Sequence, residues 1–487
     1  MMTSTVKLYL IITSIAVLGI FAVLHAGGQL SPPATPIVSE ATAPQPPSAS
    51  APAAGSFFDA ARISLYQNGT SALSRLFLQL FIIIAAACIA GALVVRIGQP
   101  AVVGEMIAGI LLGPSLFGLL APGAFHFVFA PASLEPLRLF SQIGVCLFMF
   151  AVGMELDVSQ LKRQVQTAIV VSHSSIVIPY LLGVTLALFL YQRLAHPGAS
   201  FAAFALFLGI SMSITAFPVL VRILKDRNIF KTALGSTATA CAAVDDVTAW
   251  TILAFVIAIA RSTNVGGAAF TFGLVIVFVA LMLLIIKPNL PRWLGEPSLE
   301  QPAPGQVTLA VVLGVVIISA FTTELIGVHA LFGAFLAGTV MPSVSGFREK
   351  LVIRVENISS VLLLPVFFAF TGLRTQIGLL GDGGDWIVCL VIIGVATVGK
   401  LGGSALAARI TGMDTRTSLK LGALMNTRGL MELIALNIGY DLGILSQRIF
   451  TMLVIMALVT TIMTGPLLAL FGKTEPALQE SDLRRIV

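Results

Sequence analysis

Charge is scarce in this chain: Asp, Glu, Lys and Arg make up 10% of 487 residues, hydrophobic residues make up 57%, and the mean hydropathy is +1.00. Soluble domains carry about 25% charged residues, so a soluble globular fold is excluded. Cysteine is scarce as well. Cys88, Cys146, Cys241 and Cys389 lie far apart inside apolar segments without CxxC spacing, which leaves neither a disulfide framework nor a zinc site. A Walker A motif is missing, because Gly472-Lys473-Thr474 has Leu467 where the first glycine should stand, and this argues against a nucleotide-driven pump. A second acidic cluster is missing too: Val247 to Arg261 contains no Asp or Glu, as a membrane-embedded transferase holding a metal on aspartates would require. The formal charge of +6 and pI near 9.3 come from basic residues scattered singly between apolar runs, so no nucleic-acid partner is implied.

What the chain has is long apolar runs. Runs of about 20 residues recur between Leu73 and Phe471, each long enough to cross a bilayer as a helix. Thirteen spans are predicted, among them the fifth at 201–223, the sixth at 231–260, the ninth at 328–341, the eleventh at 385–409 and the twelfth at 416–440. Eighteen Lys and Arg follow the odd-numbered spans; only Arg138, Arg193, Arg261, Arg374 and Arg448 follow the even-numbered ones. Under the positive-inside rule the odd-numbered connections and the C-terminus are cytoplasmic. The domain reading is therefore a signal peptide or an extra transmembrane helix at 1–26, a Pro/Ala/Ser-rich periplasmic linker at 27–71, a transmembrane domain at 72–472 and a short cytoplasmic tail at 473–487. The linker, densest at Ser31 to Gly55, lacks the apolar surface to fold.

Two spans look interrupted. In the fifth, Ser211 to Thr215 bring hydroxyl groups ahead of Pro218, which removes a helical donor. In the twelfth, Asn426-Thr427-Arg428-Gly429 puts polar groups and a glycine at mid-membrane depth. Non-helical backbone survives there only when buried in protein or lining a wet cavity. The two spans are seven apart and so run in opposite directions, the pattern of an inverted repeat whose broken helices meet near the midplane.

Few ionisable residues sit well inside spans: Asp245, Asp246, Lys400, Arg428 and Glu432. A charge at the bilayer centre costs at least about 2.5–3.5 kcal/mol, so each needs a partner or a task. Neighbours on a helix point about 100° apart, so the aspartates cannot both face one partner. One can pair with Lys400 while the other faces a cavity. A carboxylate that holds either a proton or a small cation, but not both, is the minimal device for antiport. Oxygen ligands suit such a cation, and Asp246, the hydroxyls of Ser213 and Thr215, and carbonyls freed in the broken helices are of the right type. Arg428 and Glu432, spaced i,i+4, can instead neutralise one another and a helix dipole. His173 reads as a packed or hydrogen-bonded histidine, and Glu105 and Glu155 as entrance residues at most.

Four motifs carry a family resemblance: Gly104 to Pro114 (GEMIAGILLGP), Ala243 to Trp250 (AVDDVTAW), Phe368 to Arg374 (FAFTGLR) and Met425 to Leu433 (MNTRGLMEL). Over roughly residues 72 to 472 the chain resembles the second branch of the monovalent cation/proton antiporters, the Kef-like and plant CHX-like exchangers. The resemblance implies an all-α, 13-helix NhaA-like fold with inverted repeats and two broken crossing helices, a mobile core domain, and a panel domain that forms a homodimer. It further implies a multi-pass protein of the cell inner (plasma) membrane, embedded in the lipid bilayer. H+ and a monovalent cation, Na+ or K+, would be transported, without a cofactor or an enzymatic reaction. By the same resemblance Asp246 is the cation- and proton-binding carboxylate, Asp245 the partner of the core lysine and Lys400 that lysine; Asn426 and Thr427 fall in the broken-helix motif. Paired aspartates with a lysine resemble the electrogenic members. Leu430 stands where some relatives carry a glutamate, and the acid comes later, as Glu432. Many relatives append a nucleotide-binding regulatory domain, which is not expected in this chain. The rival reading is a sodium-coupled organic-solute symporter of related fold.

Overall fold

Helices account for all the regular structure among the described residues, apart from one isolated bridge between Ala195 and Leu445. The computed structural model describes residues 2–31, 71–155, 165–261, 265–295, 305–342 and 346–472, with isolated positions between 33 and 69. The expected linker falls almost wholly, and the tail at 473–487 wholly, outside the described residues. An apolar chain in lipid has to satisfy its backbone polar groups internally, and the helix does so within one segment. Among the described residues, ten helical stretches are long and apolar enough to cross a membrane.

Besides the short α-helices Phe117–Leu120, Pro122–Val128 and Lys287–Leu294, the helices are α1 (Met2–Gly27), α2 (Ala72–Arg96), α3 (Ala101–Leu112), α4 (Leu134–Glu155), α5 (Val165–Leu194), α6 (Phe201–Ser211) and α7 (Phe217–Asp226). They continue with α8 (Ala233–Arg261), α9 (Val265–Leu281), α10 (Gln306–Ile326), α11 (Ala330–Thr339), α12 (Phe347–Ile358), α13 (Leu364–Arg374) and α14 (Gly383–Thr397). The last are α15 (Gly403–Ile410), α16 (Thr415–Met425), α17 (Leu430–Asp441) and α18 (Gln447–Leu470). Local chemistry sets several ends. Ser200 accepts a hydrogen bond from the Ala203 amide at the start of α6, and Asp414 accepts one from the Thr417 amide at the start of α16. Gly327, in a left-handed conformation, ends α10.

Among the predicted spans that do not form single long helices are the fifth, the ninth and the twelfth. The fifth is divided into α6 and α7 around Met212–Ala216, with Pro218 in the first turn of α7, where its missing N–H costs nothing. The twelfth is divided into α16 and α17 around Asn426–Gly429. The ninth is the ten-residue α11. The tenth extends further than predicted, running from α12 through a π-helical turn, Ser359–Leu363, into α13. The N-terminal run is helical as α1 and lies against α5 and α6, with Gly19 beside Leu181 and Gly27 beside Phe201.

Packing divides the helices into two bundles. In the frame bundle α2, α3, α4, α10, α11, α12 and α13 pack on one another; in the site bundle α5, α6, α7, α8 and α14 to α18 do. Helix α9 bridges them, touching α8 and α10, and α3 meets α18 across the divide. Lipid tails are as apolar as leucine, so membrane helices associate through close van der Waals contact. Glycine supplies that contact where α3 crosses α13: a Cβ on Gly109 would meet the Phe368 carbonyl, and one on Gly372 would meet the Gly109 backbone.

Candidate ion site

Asp245 and Asp246 occupy the middle of α8, and the fold gives them unlike surroundings. Asp245 is fully buried and saturated with donors. Lys400 Nζ lies 2.8 Å from its Oδ2, the Thr215 amide donates to the same oxygen at 3.1 Å, and the hydroxyls of Ser175 and Ser172 donate to Oδ1 at 2.8 and 3.3 Å. Lys400 is equally buried, in a π-helical turn, Val398–Gly402, between α14 and α15. Such turns displace a side chain from the regular helical register and recur at functional positions. Its ammonium also donates to the Ser213 carbonyl and, at 3.3 Å, to Ser175 Oγ. A buried ion pair survives when further hydrogen bonds satisfy its remaining atoms, and this pair has them.

Asp246 is 1% exposed, and neither of its carboxylate oxygens has a hydrogen-bond partner among the described residues. It borders a cavity with room for about one water molecule, walled by Ile214, Ala249, Trp250, Leu253 and Met431. Trp250, one turn beyond Asp246, stacks on Phe335 of the frame bundle with ring centroids 6.2 Å apart. The Phe217 amide, at the N-terminal end of α7, faces Asp246 without reaching hydrogen-bond geometry. Partial positive charge at a helix N-terminus favours an anion there.

The two interruptions are bonded to each other. The Ala216 amide donates to the Thr427 carbonyl at 3.0 Å, and Thr215 Oγ1 donates to the Met425 carbonyl, also at 3.0 Å. Arg428 is fully buried and caps α6: Nη1 reaches the Ser211 carbonyl at 2.7 Å and Nη2 the Met212 carbonyl at 2.6 Å. A guanidinium fork thus meets the negative end of a broken helix. Arg428 Nη1 also lies 3.3 Å from Glu432 Oε2, while Glu432 Oε1 has no partner among the described residues. Helix α18 closes the other side: Thr461 Oγ1 accepts from the Arg428 amide and donates to its carbonyl, and Thr464 bonds the Thr427 hydroxyl at 3.2 Å.

The structure therefore gathers Asp245, Lys400, Ser213 and Thr215 in one network, and Thr427, Arg428 and Glu432 in the adjoining one. The hydroxyls of Ser213 and Thr215 do not point at Asp246. Ser213 Oγ donates to the Ile176 and Gly209 carbonyls, and both residues serve the ion pair through backbone atoms. Asn426 is buried, with both amide atoms unpartnered among the described residues. His173 lies 2.9 Å from the Ile169 carbonyl, as an ordinary hydrogen-bonded histidine would. Sequence reasoning missed Ser172, Ser175, Thr461 and Thr464. For the serines a signal exists, since Ser172, Ser174 and Ser175 crowd one turn of an otherwise apolar span.

The family described as sodium/hydrogen exchanger, transmembrane, matches residues 82–473. The Na(+)/H(+) antiporter NhaS4 of Synechocystis sp. is 43% identical over 404 residues, covering 82% of this chain and 97% of its own. The K(+)/H(+) antiporter 1 of Saccharomyces cerevisiae is 34% identical over 378 residues; this chain spans 43% of its length. Among solved structures, the sodium proton antiporter MjNhaP1 from Methanocaldococcus jannaschii superposes with a TM-score of 0.58 at 14% identity, over 82% of this chain and 97% of that one. That likeness is one of fold.

Proposed function

This chain belongs to the sodium/hydrogen exchanger transmembrane family, and on that premise we propose that it is a secondary antiporter exchanging a monovalent cation, Na+ or K+, for protons by alternating access. One observation carries the reading: a saturated carboxylate, Asp245, adjoins an unpartnered one, Asp246, in a cavity the size of a water or a bare cation. Asp245 spends its negative charge on Lys400. Asp246 keeps its own for the transported ion, and a proton on the carboxylate and a cation beside it exclude one another. The size of the cavity argues against an organic solute as the cargo.

The wider reading has thirteen spans from α2 to α18, with α6/α7 and α16/α17 as the crossing pair of an inverted repeat. The site bundle is the moving core, and the frame bundle is the panel on which two copies meet. In this reading, which the Lys and Arg distribution supports, the ends near Arg193, Arg374 and Asp441 face outside and the C-terminus lies in the cytoplasm of a cell bounded by this inner (plasma) membrane. The α9 and α10 spans bury only 17% and 22% of their most apolar windows, leaving surface for lipid and a second copy. Exchange is electrogenic, as the two aspartates and one lysine suggest, with a second proton per cation carried by the Asp245–Lys400 pair beside the one that competes at Asp246.

The test is dye-reported proton flux in proteoliposomes on addition of Na+, K+, Li+ or Rb+. Cation-evoked flux is expected in the wild type and its loss in Asp246→Asn. Unchanged flux in the variant would remove Asp246 from the site. A valinomycin-imposed potential should alter the rate; indifference to it rules out electrogenic exchange.

A further inference from the structure

The ion site is not the only place where charged side chains cross between elements. Arg374 is the last residue of α13, in the frame bundle, while Asn437 and Asp441 lie in the last turns of α17, in the site bundle. Arg374 Nη2 is 2.6 Å from Asp441 Oδ1, and Nη1 donates to Asn437 Oδ1 at 2.9 Å. The guanidinium lies over two rings, Phe370 of its own helix at 4.3 Å and Tyr440 of the other bundle at 5.1 Å. Asn437 completes the circuit, its Nδ2 donating to Thr371 Oγ1 at 2.8 Å. Arg374 is largely withdrawn from water at 14% exposed while Asp441 stays open to it at 31%, so solvent screens the pair in part.

These residues flank a small cavity between the bundles, also bordered by Ser141 and Gln142 of α4 and by His329 before α11. An ion pair, a second guanidinium hydrogen bond, cation–ring contacts and an amide bridge are more than a helix terminus needs for capping. All but the Phe370 contact act across the seam that must slide if the site bundle moves.

We propose that Arg374 is a positioning residue: with Asp441 and Asn437 it clasps the site bundle to the frame at the outer end, closing the outer approach to Asp246, and the clasp opens once in every transport cycle. The proposal rests on the alternating-access reading and adds the groups that hold one of its states. The energetic logic is that of any two-state element, in which contacts made in one state alone set its population. Losing the clasp therefore shifts the protein toward the state open to the outside.

The experiment uses full-length chain in right-side-out vesicles, with Cys88, Cys146, Cys241 and Cys389 replaced by alanine and Ser141→Cys as reporter. Labelling by a membrane-impermeant maleimide should accelerate about tenfold in Asp441→Asn and in Arg374→Gln, which corresponds to a shift of about 1.4 kcal/mol. The charge-exchanged double variant, Arg374→Asp with Asp441→Arg, should restore slow labelling, which local disorder would not allow. Equal labelling in all variants overturns the clasp. In a second arm, Thr371→Cys with Asn437→Cys is joined by a short cleavable thiol cross-linker. Cation-evoked flux should stop on linking and return on cleavage; undiminished flux while linked overturns the proposal. Labelling needs no flux, so a failed clasp with intact exchange is distinct from a failed antiporter reading.

Discussion

Replacing Lys400 by methionine removes the ammonium and keeps most of the side-chain volume, so it isolates the charge. The Nζ–Oδ2 distance is 2.8 Å and both side chains are fully buried. At an effective dielectric constant of about 20, unit charges at that distance attract by about 6 kcal/mol. Desolvating the two ions costs several kcal/mol each, so the net contribution of the pair is far smaller. Breaking it is another matter. Lys400→Met leaves the Asp245 carboxylate with Ser172, Ser175 and the Thr215 amide but no countercharge, and Asp245→Asn leaves the ammonium with the Ser213 carbonyl and Ser175. Each single change is expected to destabilise the protein by about 3–5 kcal/mol, the usual consequence of a buried charge without its partner. The double variant retains neither charge and should recover most of that loss. Unfolding of the purified protein in detergent, followed by tryptophan fluorescence across a denaturant series, measures all four corners of the cycle. Losses that simply add in the double variant would refute the reading of Lys400 and Asp245 as a mutually dependent pair.

Competition at Asp246 predicts a pH dependence: where one proton displaces one cation, the apparent KM for the cation rises about tenfold per unit fall in pH while the maximal rate holds. A KM indifferent to pH contradicts shared occupancy of that carboxylate. Trp250→Ala removes the largest wall of the Asp246 cavity and its stacking on Phe335, so Rb+ should gain on Na+ in exchange rate, with stability falling by about 3–5 kcal/mol. An unchanged Rb+ to Na+ ratio counts against Trp250 as a size filter. Gly372→Val drives side-chain atoms into the Gly109 backbone and should cost at least about 1–3 kcal/mol, seen as a lower unfolding midpoint. Thr461→Val unpairs the Arg428 amide and carbonyl inside the protein, at about 1–3 kcal/mol; a neutral result would mean that the break is held elsewhere.

How much of this was legible in the sequence depends on where each energetic cost is incurred. Asp245, Asp246, Lys400 and Arg428 stand out because a charge in an apolar run is costly wherever its partner lies. The breaks stand out for a similar local reason, since Pro218 and the Asn426–Gly429 run disrupt a helix without reference to anything distant. Thr461 and Thr464 are silent by the same test, and the crowding of Ser172, Ser174 and Ser175 marks a polar turn without naming its partner. A hydroxyl in a membrane helix can bond the carbonyl four residues back, as Thr185 and Thr460 do here, so its presence alone implies no distant partner. The π-helical turn that carries Lys400 is silent too, because Val398–Gly402 reads as ordinary helix. Arg374 registers in the sequence as one of five basic residues on the less basic side and as the last residue of the FAFTGLR motif, and neither points to Asp441, which lies in another bundle and at another helix end. The division of labour between the aspartates combines both kinds of information. Helical geometry alone requires that two neighbours face apart. Which of them is saturated depends on a serine turn in α5, a freed amide at Thr215 and a lysine 155 residues away, all converging on Asp245. That Asp246 has no partner among the described residues is therefore a property of the tertiary fold, and on the proposed function it leaves that carboxylate free for the exchanging ion.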